Sequence, residues 1–199
     1  MWVFLISDAI TFAGLLMSYG ALRAASTVWR CTPALASTGE CTSAEPTLGI
    51  GFTAALTFLL ICSSVTMVMS HAALTENNYK QASKYLALTV LGGLLFLLGQ
   101  AHEYFGVLAP ILQPLGVHSA GLYYEGLLLG QSLYASSFYI ITSFHGLHVL
   151  TGVLYLSVVL FRTMRQKSTA NEVEVAGLFW HFVDLVWILV FTFVYLIPE

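Results

Sequence analysis

Charged side chains are scarce in this sequence. Only 9% of its 199 residues are Asp, Glu, Lys or Arg, whereas 58% are hydrophobic and the mean hydropathy is +0.82. A soluble domain carries about 25% charged residues, so this composition excludes an ordinary soluble protein and indicates a membrane protein. The formal net charge is -3, which excludes a nucleic-acid-binding surface built on basic patches.

Cysteine is also rare. The sequence contains three cysteines, which are too few for a disulfide framework. Cys62 lies inside an apolar run and is expected to be a small buried hydrophobic residue. Cys31 and Cys41 flank one polar loop. They could form a disulfide if that loop faces an oxidising compartment, or be two unrelated thiols. A basic amino-terminal region and a small-residue cleavage site are also absent, so the first apolar segment is predicted to stay as a spanning helix.

Five apolar stretches are long enough to cross a bilayer, which takes about 20 residues. They cover residues 2–22, 49–71, 85–105, 132–161 and 176–197. None combines an apolar stripe with an opposite charged face, so the helices are expected to meet lipid or one another nearly all round. The predicted fold class is an all-α membrane protein, a five-transmembrane-helix bundle that forms a single domain over residues 1–199.

The basic residues set the predicted orientation of this bundle. Five of them follow the second and fourth segments and two follow the first, whereas residues 106–131 contain none. The positive-inside tendency then places the N-terminus in the cytoplasm and the C-terminus in the periplasm. The loop 106–131 is long and rich in Gly and Pro, and we expect it to have structure of its own on the periplasmic side.

Ionisable side chains inside the apolar segments are functional candidates, because they are expensive at membrane depth. Asp8 lies in the first segment, and His145 and His148 lie three residues apart on one face of the fourth. Depth counting at about 1.5 Å per residue predicts that Asp8 pairs with one of these histidines, His148 being favoured over His145. The alternative for Asp8 is a residue near the helix start that reaches the surface.

The fifth segment holds the densest set of polar groups, with Glu174, His181 and Asp184 around Trp180. Depth counting predicts that they lie in one layer of the bundle with Asp8 and the histidines of the fourth segment. A groove lined by such histidines and aromatic side chains is expected to bind phospholipid.

The third segment ends in the stretch His102-Glu103-Tyr104-Phe105. We expect Glu103 near the outer surface, beside a tyrosine that anchors the helix at the interface.

Metal or haem ligation is the alternative interpretation of His145, His148 and His181. The chain would then be a free-standing membrane metal- or haem-binding protein. Metal sites need ligands that converge closely and have further support, and histidines at mid-membrane also form ordinary hydrogen bonds between helices. A third interpretation is an assembly scaffold whose polar residues only lock helices together.

Several stretches resemble subunit III of the haem-copper terminal oxidases, the cytochrome c and quinol oxidases. Ser143-Phe-His-Gly-Leu-His-Val149 is similar to a stretch of that family, with Ser143 in place of a glycine. Glu174 followed by Trp180-His-Phe-Val-Asp-Leu-Val-Trp187 resembles the last-helix signature of the family. Ile6-Ser7-Asp8 resembles its intramembrane carboxylate motif, where most relatives have glutamate. The resemblance is to the five-helix bacterial form.

The resemblance implies a non-catalytic subunit of a proton-pumping respiratory oxidase in a bacterial inner membrane. Haem and copper would belong to partner subunits, with subunit I in direct contact and subunit II and other respiratory subunits as further partners. The chain itself would hold no cofactor or metal but bound phospholipid, and would stabilise subunit I and support its proton uptake and oxygen access. Asp8 and His148 would form a buried proton-responsive pair. Lipid binding or helix locking is expected of His145, Glu174, Trp180, His181, Asp184 and Glu103.

Overall fold

Five helices make up the part of the protein that the computed structural model describes, residues 1–25, 50–106 and 133–196. They are α1 (Trp2–Ala25), α2 (Ile50–Thr75), α3 (Tyr79–Phe105), α4 (Leu133–Met164) and α5 (Ala170–Val190), and α5 continues as a π-helical segment (Phe191–Leu196). Those ranges contain no strand. All five helices are long and apolar enough to cross a membrane, which confirms the predicted all-α membrane fold. Cys31, Cys41 and residues 107–131 of the predicted periplasmic loop lie outside the described residues.

The helices are longer than the apolar stretches that predicted them, because capped polar turns extend their ends. α3 begins at Tyr79 rather than at residue 85, and the Asn78 side chain accepts a hydrogen bond from the Gln81 backbone N–H (3.2 Å). α5 begins at Ala170 rather than at residue 176. There the Thr169 hydroxyl accepts the Glu172 N–H, while the Glu172 carboxylate accepts the Thr169 N–H.

Two short turns, residues 76–78 and 165–169, connect α2 to α3 and α4 to α5. Each contains one residue in the left-handed region, Asn77 (φ 59°) and Gln166 (φ 54°). Because the connected helices are antiparallel, both turns lie at one end of the bundle, which we call the turn end. The opposite end, which carries Phe105 and Leu133, is called the loop end.

The central core is formed by α2, α3, α4 and α5, and α1 lies against α4 and α5. Gly93 marks the point where α3 meets α4 and α5. A Cβ atom at this position would lie 2.5 Å from Val153 Cγ2 and 2.6 Å from the Trp180 ring. The missing side chain therefore makes room for the indole ring of Trp180, which is 1% exposed. This packing fixes the face that α5 turns towards the centre.

Candidate functional site

Asp8 and His148 form a close pair between α1 and α4. His148 Nε2 lies 3.0 Å from Asp8 Oδ1, and the two side chains are only 14% and 8% exposed. Asp8 therefore contacts His148, the histidine that counting residues along the helices predicted as its partner. Neighbouring rings enclose it: the Phe12 ring lies 5.4 Å from the His148 ring and the Phe144 ring 4.7 Å from it.

The contacts of His148 are compatible with one proton shared between this side chain and Asp8. Its Nδ1 lies 2.8 Å from the carbonyl oxygen of Phe144, and a carbonyl oxygen only accepts, so Nδ1 carries a proton. Nε2 then either donates to an ionised Asp8, as part of an imidazolium, or accepts from a protonated Asp8. In both cases one proton lies between Asp8 and His148, and the pair has no net charge.

His145 has a different environment from His148, although the two lie three residues apart on α4. Its side chain is fully buried, stacks on the Trp187 ring at 4.7 Å and faces the Phe96 ring at 5.9 Å. Within the described part of the chain, neither of its ring nitrogens has a hydrogen-bond partner. His145 is therefore held by aromatic packing and not by Asp8.

The polar side chains of α5 face α2. The Trp180 Nε1–H donates to Ser63 Oγ at 3.0 Å, and the Trp187 Nε1–H donates to Thr57 Oγ1 at 2.9 Å. Asp184 accepts a hydrogen bond of 2.8 Å from Ser64. No hydrogen bond between described residues joins Asp184 to Asp8 or His148, because α5 turns this polar face towards α2. That these groups share one layer of the bundle stays a prediction.

Glu103 lies in the last turn of α3, at the loop end, and its side chain is buried within the bundle. Its side chain is 6% exposed. The Thr53 hydroxyl donates to Oε1 and the Tyr195 hydroxyl donates to Oε2, each at 3.0 Å. The carboxyl group therefore joins α2, α3 and the π-helical segment after α5. The neighbouring Tyr104 also turns inwards and donates to Thr142 of α4 at 2.6 Å.

The hydroxyl partners on α2 were missed from the sequence, although a signal exists. Thr53, Thr57 and Ser64 recur at spacings of four and seven residues, which places them on one face of a helix. Such a stripe of hydroxyl groups in an apolar helix is typical of a face that hydrogen-bonds to another helix.

Glu174 and His181 line a groove between α2 and α5 at the turn end. The groove has a volume of about 140 Å³. Its third polar residue is His71 on α2, which the sequence analysis did not select, and apolar side chains including Met67 and Leu178 complete the lining. Two imidazoles and one carboxylate thus face a shared space.

Comparison with known proteins identifies the family. The family model described as cytochrome c oxidase subunit III matches residues 1–198. The chain belongs to this family. Cytochrome c oxidase subunit 3 of Corynebacterium diphtheriae is 33% identical over 198 residues, which are 98% of this chain and 85% of that protein. The subunit 3 of Synechocystis is 32% identical over 199 residues, with 98% and 73% covered.

Coverage is lower for some relatives of the subunit III family. A protein of Rickettsia felis named "Probable cytochrome c oxidase subunit 3" is 39% identical over 145 residues, which are 70% of this chain and 46% of that protein. The chain therefore spans about half the length of that relative. Membership of the subunit III family, together with the five long apolar helices, indicates a multi-pass membrane protein.

The structure separates the histidines that a metal or haem site would need. His148 contacts Asp8, His145 packs on Trp187, and His181 lines the groove between α2 and α5. Over residues 1–25, 50–106 and 133–196, no group of three or more His, Cys, Asp or Glu side chains is placed to hold a metal ion. Cys62 is exposed on α2, so its expected burial was wrong, because this side of α2 faces away from the other helices.

Proposed function

We propose that this chain is a non-catalytic subunit III of a proton-pumping oxidase in a bacterial inner membrane. Oxygen reduction then takes place on the haem and copper of partner subunits, with subunit I in direct contact and subunit II and other respiratory subunits nearby. The chain stabilises subunit I, supports its proton uptake and oxygen access, and binds phospholipid. Its membership of the subunit III family supports this proposal, as do its five apolar helices.

The observation that carries the proton-uptake role is the Asp8–His148 pair. Its contacting atoms lie 3.0 Å apart, a separation at which they can share one proton, and the rings of Phe12 and Phe144 shield it. Two groups that share a proton in an apolar environment titrate as a coupled unit. Such a unit exchanges a proton without leaving a bare charge among apolar helices, which would be costly.

The test is the variant Asp8→Asn in the intact oxidase complex. An amide has nearly the same shape as the carboxyl group and can donate to His148 Nε2, so the contact persists, but the amide does not release a proton. We expect unchanged haem content, slower proton uptake and a lower sustained turnover. Asp184→Asn is the matched control, since it neutralises a second buried carboxyl group that bonds Ser64 and not a histidine.

Other outcomes would favour the competing interpretations. Normal proton uptake and normal turnover with both Asp8→Asn and His148→Gln present would indicate a pure assembly scaffold. Loss of haem absorbance in either variant would point to a cofactor site at the pair.

The remaining site residues are proposed to hold helices together or to contact lipid. Trp180, Asp184 and Glu103 bond to α2, which supports the helix-locking role, and His145 contributes through its stacking on Trp187. Glu174 and His181 face the groove, which supports the lipid-binding role.

A further inference from the structure

We propose that Glu103 is a second proton-binding site of this chain, which takes up and releases one proton at the loop end of the bundle. The proposal goes beyond the helix-locking role of Glu103. It is also independent of the Asp8–His148 pair, which lies between α1 and α4. The Glu103 carboxyl group is the proton acceptor, and the hydroxyl groups of Thr53 and Tyr195 accommodate both its ionised and its neutral form.

The first observation is the position of Glu103 along α3. The exposed Lys84 near the turn end and Glu103 are 19 residues apart. That separation corresponds to about 28 Å along the helix axis, close to the thickness of a hydrocarbon core of about 30 Å. Glu103 also lies only two residues before the end of α3 at Phe105. A proton on Glu103 is therefore near the membrane surface, although the side chain is buried.

The second observation is that Glu103 has no positive partner within the part of the chain that the structure describes. Its side chain is 6% exposed, and its hydrogen-bond partners are the neutral hydroxyl groups of Thr53 and Tyr195. Over residues 1–25, 50–106 and 133–196, no Lys, Arg or His forms an ion pair with it. An ionised carboxylate in an apolar bundle is costly without a positive partner. These surroundings favour the neutral acid, which holds one proton.

The titratable side chains around Glu103 offer it no fixed positive charge. α2 contains no Asp, Glu, Lys or Arg, and its histidine, His71, lies near the turn end. On α3, the ring of His102 packs edge-on against the Phe52 ring at 5.4 Å. Phenol groups are uncharged at neutral pH, and α3, α4 and the π-helical segment contribute tyrosines to this region: Tyr104, Tyr134, Tyr139 and Tyr195. A proton is therefore the cation that balances the charge of Glu103.

The two hydroxyl partners allow the proton to be bound and released without movement of the helices. A hydroxyl group can both donate and accept a hydrogen bond, and its hydrogen rotates to suit. When Glu103 is ionised, both hydroxyl groups donate to it over the observed 3.0 Å. When Glu103 holds a proton, one hydroxyl group still donates and the other accepts from the carboxyl O–H. The same oxygen positions thus serve both forms, as a reversible proton site requires.

The experiment is infrared difference spectroscopy of the purified full chain in mixed micelles. A carboxylic acid has a C=O stretching band that vanishes when the group ionises and shifts when its proton is exchanged for deuterium. At neutral pH, the unchanged chain should show one such band that Glu103→Gln lacks. The band should shift in heavy water, and it should disappear when the pH is raised and return when the pH is lowered.

Tyr195→Phe tests the assignment of this band with Glu103 unchanged. It removes one hydrogen bond from the carboxyl group, so the band should move to higher wavenumber, because a C=O group with fewer hydrogen bonds vibrates at higher frequency. Tyr155→Phe, at an exposed position of α4, is the matched control and should leave the band in place. Asp184→Asn changes a different buried carboxyl group and should leave it in place as well.

Two results would overturn the proposal directly. Identical carboxylic-acid bands in the unchanged chain and in Glu103→Gln at neutral pH would show that Glu103 is ionised. A band that Glu103→Gln removes, but that neither heavy water nor alkaline pH changes, would show a proton that does not exchange. If Glu103→Gln does not fold, the comparison of Tyr195→Phe with Tyr155→Phe takes its place, and absence of the shift would then overturn the proposal.

Discussion

At the scale of single residues, Glu103 shows how a carboxyl group is accommodated inside an apolar bundle. Each of its oxygens accepts one hydroxyl hydrogen bond, from Thr53 and from Tyr195. A buried polar group that loses a partner destabilises the fold, because no water replaces the lost hydrogen bond.

We expect Tyr195→Phe to lower the free energy of unfolding by roughly 1 kcal/mol, within the range found for polar contacts between membrane helices. Thr53→Val should have a similar effect, and the double variant should lose less than the sum if both act through Glu103. The measurement is reversible unfolding of the purified full chain in mixed micelles. Tyr155→Phe, at an exposed position of α4, is the control. Equal stability of Tyr195→Phe and Tyr155→Phe would contradict the prediction.

Gly93 carries a second prediction at this scale. Gly93→Ala would place a methyl group 2.5 Å from Val153 Cγ2 and 2.6 Å from the Trp180 ring. Overpacking of this kind costs about 1–3 kcal/mol, and the same unfolding measurement should show it. Gly14→Ala is the matched control, because nothing lies within 4 Å of its Cβ position. If both variants unfold alike, the close packing of α3 against Trp180 is not present in the folded chain.

At the scale of elements, α5 is attached to α2 by three polar contacts spread over about two turns. These are the hydrogen bonds that join Trp180 to Ser63, Asp184 to Ser64 and Trp187 to Thr57. Because they point the same face of α5 towards one helix, they fix its rotation about its own axis.

Ser64→Ala should weaken this attachment. It removes the hydrogen bond to Asp184 Oδ2, and Oδ1 already has no partner among the described residues. We expect a loss of about 1 kcal/mol, with partial recovery in Ser64→Ala combined with Asp184→Leu, which removes the unpaired carboxyl group. Ser137→Ala on α4, whose exposed hydroxyl bonds only its own backbone at Leu133, is the control. A loss in Ser64→Ala no larger than in this control would argue against a role for Asp184 in holding α5.

The positions of the helices could be predicted from the length and apolar content of the segments. Helix ends and buried contacts were harder to predict, because they depend on residues elsewhere in the chain. The five spans and the Asp8–His148 contact follow from hydropathy and depth. The extra turns of α3 and α5 do not, because they come from caps at Asn78 and Thr169. The burial of Glu103 was missed because its partners lie on α2 and on a π-helical segment, and depth counting along one helix does not show which neighbour a side chain faces.

At the scale of the whole molecule, the predicted orientation places the N-terminus in the cytoplasm. Cysteine labelling tests this orientation directly. Glu76→Cys, in the exposed turn between α2 and α3, should react with a membrane-impermeant maleimide only after the cells are permeabilised. The variant is made with Cys31 and Cys41 replaced by serine. With Glu76 unchanged, and after reduction, Cys31 and Cys41 should instead be labelled in intact cells. Labelling of Glu76→Cys in intact cells would reverse the proposed orientation.

The short separation of Asp8 and His148 determines how the pair responds to membrane voltage. Their contacting atoms lie 3.0 Å apart, about a tenth of a hydrocarbon core of about 30 Å. Carrying one elementary charge through the full potential changes its energy by about 2.3 kcal/mol per 100 mV. Transfer of the proton from one group to the other therefore changes the energy by at most about 0.2 kcal/mol at that voltage. The resting place of this proton is set by its immediate neighbours, and an energised membrane leaves it where it is.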